Sequence, residues 1–347
     1  MAPKPKHIAV MRLSSMGDVA MTVPVLRALV QQYPELRVTV ISRPFFKPFF
    51  DTIPQIHFVA FDPKTTHKGW LGLGRLYQQL SSLSIDAFGD MHNVLRSKII
   101  RGIFALSGKK TAALNKGRAE KKALTRLQNK QFFPLTSMVD RQAEVLAKLG
   151  FPVDLSQPTF APKPELTNEI IALVGPKTKP WIGIAPFAQY QGKMYPLDLM
   201  QTVIHLLDQS EQYALFLLGA GAKEIEWLTQ LSAGTSHTKV IAGHLSLAQE
   251  LILMSQFDGL LSMDSANGHM GALLGIPVVT VWGATHPYAG FSPFNQPESH
   301  SLCADRNQFP GLPTSVYGNK IVPGYEDAMR TILPETIVAK IQEITSS

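Results

Sequence analysis

The chain has one cysteine, Cys303, in 347 residues. That excludes an internal disulfide framework and any cysteine-based zinc site, and it suits a reducing compartment with Cys303 as a small, inert side chain. No stretch approaches the roughly 18 uninterrupted apolar residues of a membrane span. Met1 to Lys6 run straight into strand-like sequence without the apolar region of a signal peptide, so a cytoplasmic location is expected. A G-x-G-x-x-G fingerprint is also missing, which argues against a dinucleotide dehydrogenase.

What is present begins with charge. From Arg96 to Lys130 there are eleven lysines and arginines against one acid, Glu120. This local +10 exceeds the chain's total of +7 and leaves the remainder at −3. Such a block is either a solvated face or a landing zone for phosphorylated substrate, anionic membrane or nucleic acid. It carries almost no aromatic residue for base stacking and no nucleic-acid module signature, so an anionic acceptor is preferred and no nucleic-acid partner is expected.

A length of 347 residues with 45% hydrophobic composition favours two domains. His7 to Leu13 reads as a buried strand, then a loop at Ser14–Asp18, then a helix from Val19 to Gln32. Arg37–Ser42 and Ile85–Asp90 read as further strands, and Met138–Leu149 as a helix closed by Gly150. Six prolines between Pro152 and Pro180 mark an interdomain connection. The alternation then restarts with strands at Trp181–Ala185, Tyr213–Leu218, Leu260–Met263 and Val278–Trp282, and a last helix at Pro334–Ile344. The pattern predicts an α/β fold of two Rossmann-like halves, 1–165 and 166–347, with mostly parallel sheets facing a central cleft and the last helix free to pack back on the first half.

Ligands of such sheets bind beyond the carboxyl ends of strands, which directs attention to four loops. In Ser14-Ser-Met-Gly-Asp18, Gly17 permits a tight turn before a helix whose N–H groups are available; Asp18 is either a cap or a reactive carboxylate. Met263-Asp264-Ser-Ala-Asn-Gly-His269 lies between strand and helix. There Asp264 can cap the helix, while small Ser265, Ala266 and Gly268 let a diphosphate approach its N–H groups. His269 is either a further phosphate donor or a core histidine. Lys193, in the loop after Trp181–Ala185, can set charge against phosphate. Gly219-Ala-Gly-Ala-Lys-Glu224 is either a binding loop or an ordinary strand-to-helix turn.

Taken together, these motifs resemble glycosyltransferase family 9, the ADP-heptose:lipopolysaccharide heptosyltransferases, over nearly all of Ile8 to Ile344. The anchors are Arg12–Asp18 with Pro24, Asp86–Asp90 with Leu95-Arg-Ser97, Val139-Asp-Arg141, Lys193, Gly219–Glu224, Leu245-Ser-Leu247, Asp264–His269 and Trp282-Gly-Ala-Thr285. The resemblance implies a GT-B fold with acceptor on the first half and nucleotide-sugar on the second. It makes Asp18 the catalytic base and Lys193, Glu224, Leu245, Asp264, Ser265, Ala266, Gly268 and His269 the donor site, with Glu226 the alternative to Glu224. Ser14, Ser15, Arg96, Arg118, Lys121 and Arg141 become the acceptor site. Two departures are visible: Ala266 stands where glycine is usual, and Ala328-Met329 where a Cys-Met pair is common.

The implied reaction is an inverting transfer from ADP-heptose to a phosphorylated, lipid-linked inner-core saccharide. Asp18, ionised as an ordinary aspartate is at neutral pH, takes the acceptor hydroxyl's proton. Lys193, acting as a second catalytic group, and the helix after Asp264 stabilise the departing diphosphate. No Asp-x-Asp pair occurs, so neither metal nor cofactor is expected. An acceptor of this kind would hold the enzyme peripherally at the inner face of the inner membrane. The competing readings are a nucleotide-sugar epimerase, transfer of another sugar, and a non-catalytic nucleotide- or glycan-binding protein.

Overall fold

The computed structural model describes residues 5–320 and 322–346. They form two compact units, Met1–Lys116 with Ser137–Ala161, and Gly117–Thr136 with Pro162–Ser347.

The elements in chain order begin with β1 (His7–Met11), α1 (Met16–Ala20), α2 (Thr22–Gln32), β2 (Arg37–Ser42), β3 (Ile56–Ala60) and α3 (Gly69–Ser81). Then come β4 (Ala87–Asp90), α4 (Leu95–Leu106), β5 (Lys110–Ala113), α5 (Arg118–Thr125), α6 (Met138–Leu149) and α7 (Asn168–Val174). The remainder is β6 (Trp181–Ala185), α8 (Leu197–Gln209), β7 (Ala214–Leu217), α9 (Ala222–Ser232), β8 (Thr238–Val240), α10 (Leu247–Met254), β9 (Gly259–Met263), α11 (Ala266–Leu273), β10 (Val278–Trp282), β11 (Ser301–Cys303) and α12 (Pro334–Thr345).

The first sheet has the order β3-β2-β1-β4-β5 and the second β11-β10-β9-β6-β7-β8, with every pairing parallel. Both repeat one topology: the first strand of the unit is central, the next two extend to one side, and the chain then returns to the other. A parallel strand covered on both faces needs apolar residues throughout, and β1, β6, β9 and β10 are buried at every position. At Gly183 in β6 the space of a Cβ is filled by the ring of Phe257, so any side chain there would push against the core.

The helix expected from Val19 to Gln32 begins earlier, at Met16, and is divided at Met21. Pro24 sits in the first turn of α2, where the missing N–H has no helical partner to lose. Gly150 ends α6 in the left-handed region at φ 103°, as the sequence suggests.

The unit boundary differs from the expected one. Residues 117–136 do not stay with the first half: Leu124 and Leu135 cluster with Ala289, Leu135 N donates to Tyr288 O at 2.9 Å, and Lys130 Nζ donates to Pro313 O at 2.7 Å. α12 packs on α8 and β9, burying Ile337, Ile341 and Ile344 in the core of the second unit.

Candidate active site

In the first sheet the strand order reverses between β1 and β4, and the loops at that switch point carry the first cluster. Arg12 leaves β1 buried, with Nη2 2.5 Å from Asp18 Oδ2 and Nη1 donating to Met91 O at 2.6 Å. One guanidinium thus ties the exits of β1 and β4 together. Ser15 Oγ and Ser15 N donate to Asp18 Oδ2 at 2.8 and 3.3 Å, so Asp18 reaches back over the N-cap of its own helix. Gln142 Nε2 on α6 donates to Asp18 O at 3.3 Å. The capping-box carboxylate and the candidate base are therefore the same group. Ser14 Oγ lies 3.4 Å from His92 Nε2, and the Ser14–Ser15 peptide bond is cis.

Asp90, fully buried at the end of β4, accepts from His92 N at 3.1 Å and Asn93 N at 2.6 Å and pairs with Arg101 Nη1 at 3.2 Å. Burial, helped by the nearby Arg12 and Lys116 charges, pushes the His92 imidazole down to about 4, so it is neutral at physiological pH. His92 and Arg101 were not singled out from the sequence. Their signals were proximity to the Asp86–Asp90 and Leu95–Ser97 anchors and, for Arg101, membership of the basic block.

The expected acceptor residues are not all in one unit. Arg96 is exposed in the first turn of α4, and Arg141 is buried on α6 with Nη1 3.5 Å from Asn115 O. Arg118 and Lys121 lie on α5 in the second unit; Arg118 is exposed, whereas Lys121 is buried with its ammonium 4.0 Å from the Phe291 ring centroid. The basic block is therefore divided, and part of it is structural: Arg101 pairs with Asp90, Arg126 Nε donates to Asn129 O, and Lys130 Nζ donates to Leu124 O.

The second switch point lies between β6 and β9, and it brings together two motifs far apart in sequence. Lys193, in a short 3-10 turn after β6, places Nζ 2.8 Å from Asp264 Oδ2 at the end of β9, with both side chains largely buried. This corrects the expected helix cap. Ser265, not Asp264, holds the N-cap position of α11 and makes no side-chain hydrogen bond to the helix; its hydroxyl lies 3.2 Å from Ser262 Oγ. A buried carboxylate gains more from an ammonium than from a neutral N–H, so Asp264 turns to Lys193.

His269 is buried about one turn into α11. Ala266 is half-buried at the helix start, while Gly268 is packed so that a Cβ would stand 3.3 Å from Ser262 Oγ and 3.4 Å from Pro293 Cγ. In the Gly219 loop, Glu224 Oε2 accepts from Ala220 N at 2.8 Å, bracing the turn into α9, and Glu226 is exposed. Leu245 is half-buried just before the Ser246 cap of α10.

Lys193 is itself held from behind. Ala284 N donates to Gly192 O at 2.8 Å, Thr314 N and Ser315 N donate to Ala284 O, and Gly318, at φ +74°, lies against the methylene stem of Lys193. A cavity of about 420 Å³ opens beside this turn, lined in part by Gln191, Gly192, Ala284 and Thr314. Nothing in the sequence pattern pointed to the 313–318 segment. Among the described residues, no group of three or more His, Cys, Asp or Glu side chains is arranged to hold a metal ion, and no helix is long and apolar enough to cross a membrane.

Comparison with known proteins bears on this arrangement. The chain is 23% identical over 293 residues to the lipopolysaccharide core heptosyltransferase OpsX of Haemophilus influenzae, covering 82% of this chain and 80% of that protein. It superposes on a family 9 glycosyltransferase from Veillonella parvula with a TM-score of 0.76 at 17% identity, covering 100% of this chain and 99% of the other. Escherichia coli heptosyltransferase WaaC, solved with ADP, gives a TM-score of 0.70 at 17% identity, covering 97% and 99%. The structural likeness is one of fold, the two-sheet GT-B architecture. The family model of glycosyltransferase family 9 (heptosyltransferase) matches residues 73–313, well over half of the sequence, and the chain belongs to that family.

Proposed function

We propose that the protein transfers heptose from ADP-heptose to a phosphorylated, lipid-linked inner-core saccharide, with inversion at the anomeric carbon. The observation that supports this most directly is the Lys193–Asp264 contact, which joins the two expected donor motifs at one switch point. Asp264 orients the ammonium beside the start of α11, where backbone N–H groups and the helix dipole favour an anion. A diphosphate bound there would meet Lys193 and these N–H groups, and both would stabilise the charge that develops as the anomeric C–O bond breaks.

Asp18 takes the role of general base. As the acceptor hydroxyl oxygen bonds to the anomeric carbon, its proton passes to the Asp18 carboxylate, and ADP leaves with the electron pair. Arg12 and Ser15 fix the rotamer of that carboxylate. Glu224, with Glu226 as the alternative, and Leu245 are assigned to the nucleoside. Ser14, Ser15, Arg96, Arg118, Lys121 and Arg141 are assigned to the acceptor, and the enzyme works at the cytoplasmic face of the inner membrane.

Calorimetric titration with ADP, UDP and GDP without added metal tests the donor half. ADP should bind selectively, and more weakly in Lys193→Ala and His269→Ala. Asp18→Asn tests the base: ADP affinity should hold while kcat falls by about 10²- to 10⁴-fold, the usual range for removing a general base. Preference for UDP, or full turnover in Asp18→Asn, would remove the corresponding half of the proposal.

A further inference from the structure

The carboxyl edge of the first sheet carries large apolar side chains that the fold does not bury. Phe45, three residues beyond β2, is 60% exposed, while its neighbours Phe46 and Phe49 are in the core. Trp70 and Leu71, opening α3 beyond β3, are 74% and 81% exposed. Leu95, opening α4 beyond β4, is 71% exposed. The strands are parallel and in register, so their carboxyl ends form one edge. The first turn of α3 is held at that edge: His67 stacks on Phe61 just past β3, and Gly72 packs directly on the His67 backbone.

The charges around these side chains are predominantly positive. Arg43, Lys64, Lys68 and Arg96 are exposed on the same loops and helix starts. The two acids in the segments 43–55, 61–68 and 91–96 are Asp51 and Asp62. Asp51 is paired with Lys47 at 2.6 Å, and Asp62 accepts from Lys64 N and from Thr65 Oγ1 within its own turn. What this edge presents is tryptophan, phenylalanine and leucine set in an excess of positive charge, Arg43, Lys47, Lys64, Lys68 and Arg96 against Asp51 and Asp62. A second copy of the chain would bring like charges together. An anionic bilayer takes both features at once: indole and leucine enter the headgroup boundary while the cations meet lipid phosphate.

We infer that Phe45, Trp70, Leu71 and Leu95, with the cations between them, form a face that docks the first unit on an anionic membrane surface. This face lies on the sheet edge that also carries Asp18, so docking would put the candidate base toward the bilayer that holds a lipid-linked acceptor. The biological meaning rests on the proposed acceptor, but the test does not, because vesicle binding is measured without donor, acceptor or turnover.

The full-length protein is sedimented with vesicles of phosphatidylglycerol and phosphatidylcholine, or of phosphatidylcholine alone. Retention is expected on the anionic vesicles, falling as salt rises from about 0.1 M to about 1 M. Trp70→Ser/Leu71→Ser should lower the partition coefficient at least about tenfold, from the apolar area withdrawn from the membrane. Lys64→Glu/Lys68→Glu should do the same through charge. Leu106→Ser is the control: Leu106 is 91% exposed but ends α4, away from this edge, and its loss should change nothing. Trp70 also supplies a direct reading, because Trp181 and Trp282 are buried and Trp227 is half-buried, so quenching by spin-labelled lipid should vanish in the Trp70 variant. The inference is overturned if wild type ignores anionic vesicles, if phosphatidylcholine alone holds it equally well, or if Trp70→Ser/Leu71→Ser binds like wild type. It is equally overturned if wild type is a dimer that the same substitutions dissociate without affecting vesicles.

Discussion

Gly318→Ala should weaken donor binding although Gly318 need not touch the donor. Gly318 sits at φ +74°, where an L side chain costs about 1–2 kcal/mol. A Cβ built there would overlap Lys193 Cγ and lie 3.1 Å from Cδ and 3.4 Å from Cε. The clash falls at the base of the lysine stem, so a rotation of its far end cannot relieve it. Either the 313–318 segment moves, or Lys193 does. That segment is anchored by Thr314 N and Ser315 N on Ala284 O at 2.9 and 3.0 Å, so displacement of Lys193 is the expected outcome. The ammonium would then leave Asp264, and an ionic hydrogen bond to diphosphate worth about 1.5–3 kcal/mol would be lost, a roughly 10- to 150-fold rise in the Kd for ADP. Calorimetry on Gly318→Ala, Lys193→Ala and the double variant measures this. Because both changes act through one ammonium, the double variant should bind ADP no more weakly than Lys193→Ala alone. Wild-type affinity in Gly318→Ala, or strictly additive losses, would refute the reasoning.

The remaining predictions concern stability and pH. Lys193→Ala strands the buried Asp264 carboxylate and should cost about 3–5 kcal/mol in urea unfolding, whereas Lys193→Met/Asp264→Leu, which removes both charges, should recover much of it. Burial and the Arg306 and Lys130 charges push His286 down to about 4, consistent with its Nδ1 accepting from Tyr288 N. With the folded value below the unfolded one near 6.5, the unfolded chain binds the extra proton first as pH falls. The contribution of His286 is therefore full above about pH 6.5 and is lost on descending toward pH 4, and His286→Gln should flatten the pH dependence of the unfolding midpoint in that window. Gly183→Ala drives a methyl into the Phe257 ring at the centre of β6 and should cost about 1–3 kcal/mol in the same assay.

How much of this was legible in the sequence follows from burial. The strands read correctly, β1, β2, β4, β6, β7, β9 and β10, are buried along most or all of their length and so appear as apolar runs. The strands not read, β3, β5, β8 and β11, are the sheet edges; Lys110–Ala113 and Thr238–Val240 are short and half-exposed, and they inherit their conformation from a neighbour rather than from composition. The site divides in the same way. Asp18, Lys193 and Asp264 could be named as candidates because each follows a central strand, and a loop at a switch point is where the topology leaves room. That Lys193 contacts Asp264 was not legible, since contact across β6 and β9 depends on strand order, which no local pattern encodes. For the same reason Asp264 read as a cap. Arg12 shows the limit most clearly. It stood within the first anchor motif, yet its role emerges only when β4 pairs beside β1, because one guanidinium then holds both Asp18 and the Met91 carbonyl. Local pattern named the carboxylate; the arrangement that fixes its orientation belongs to the topology. A substitution at Arg12 is therefore a better probe of the assembled site than one at Ser15, whose contacts to Asp18 any N-cap serine could make.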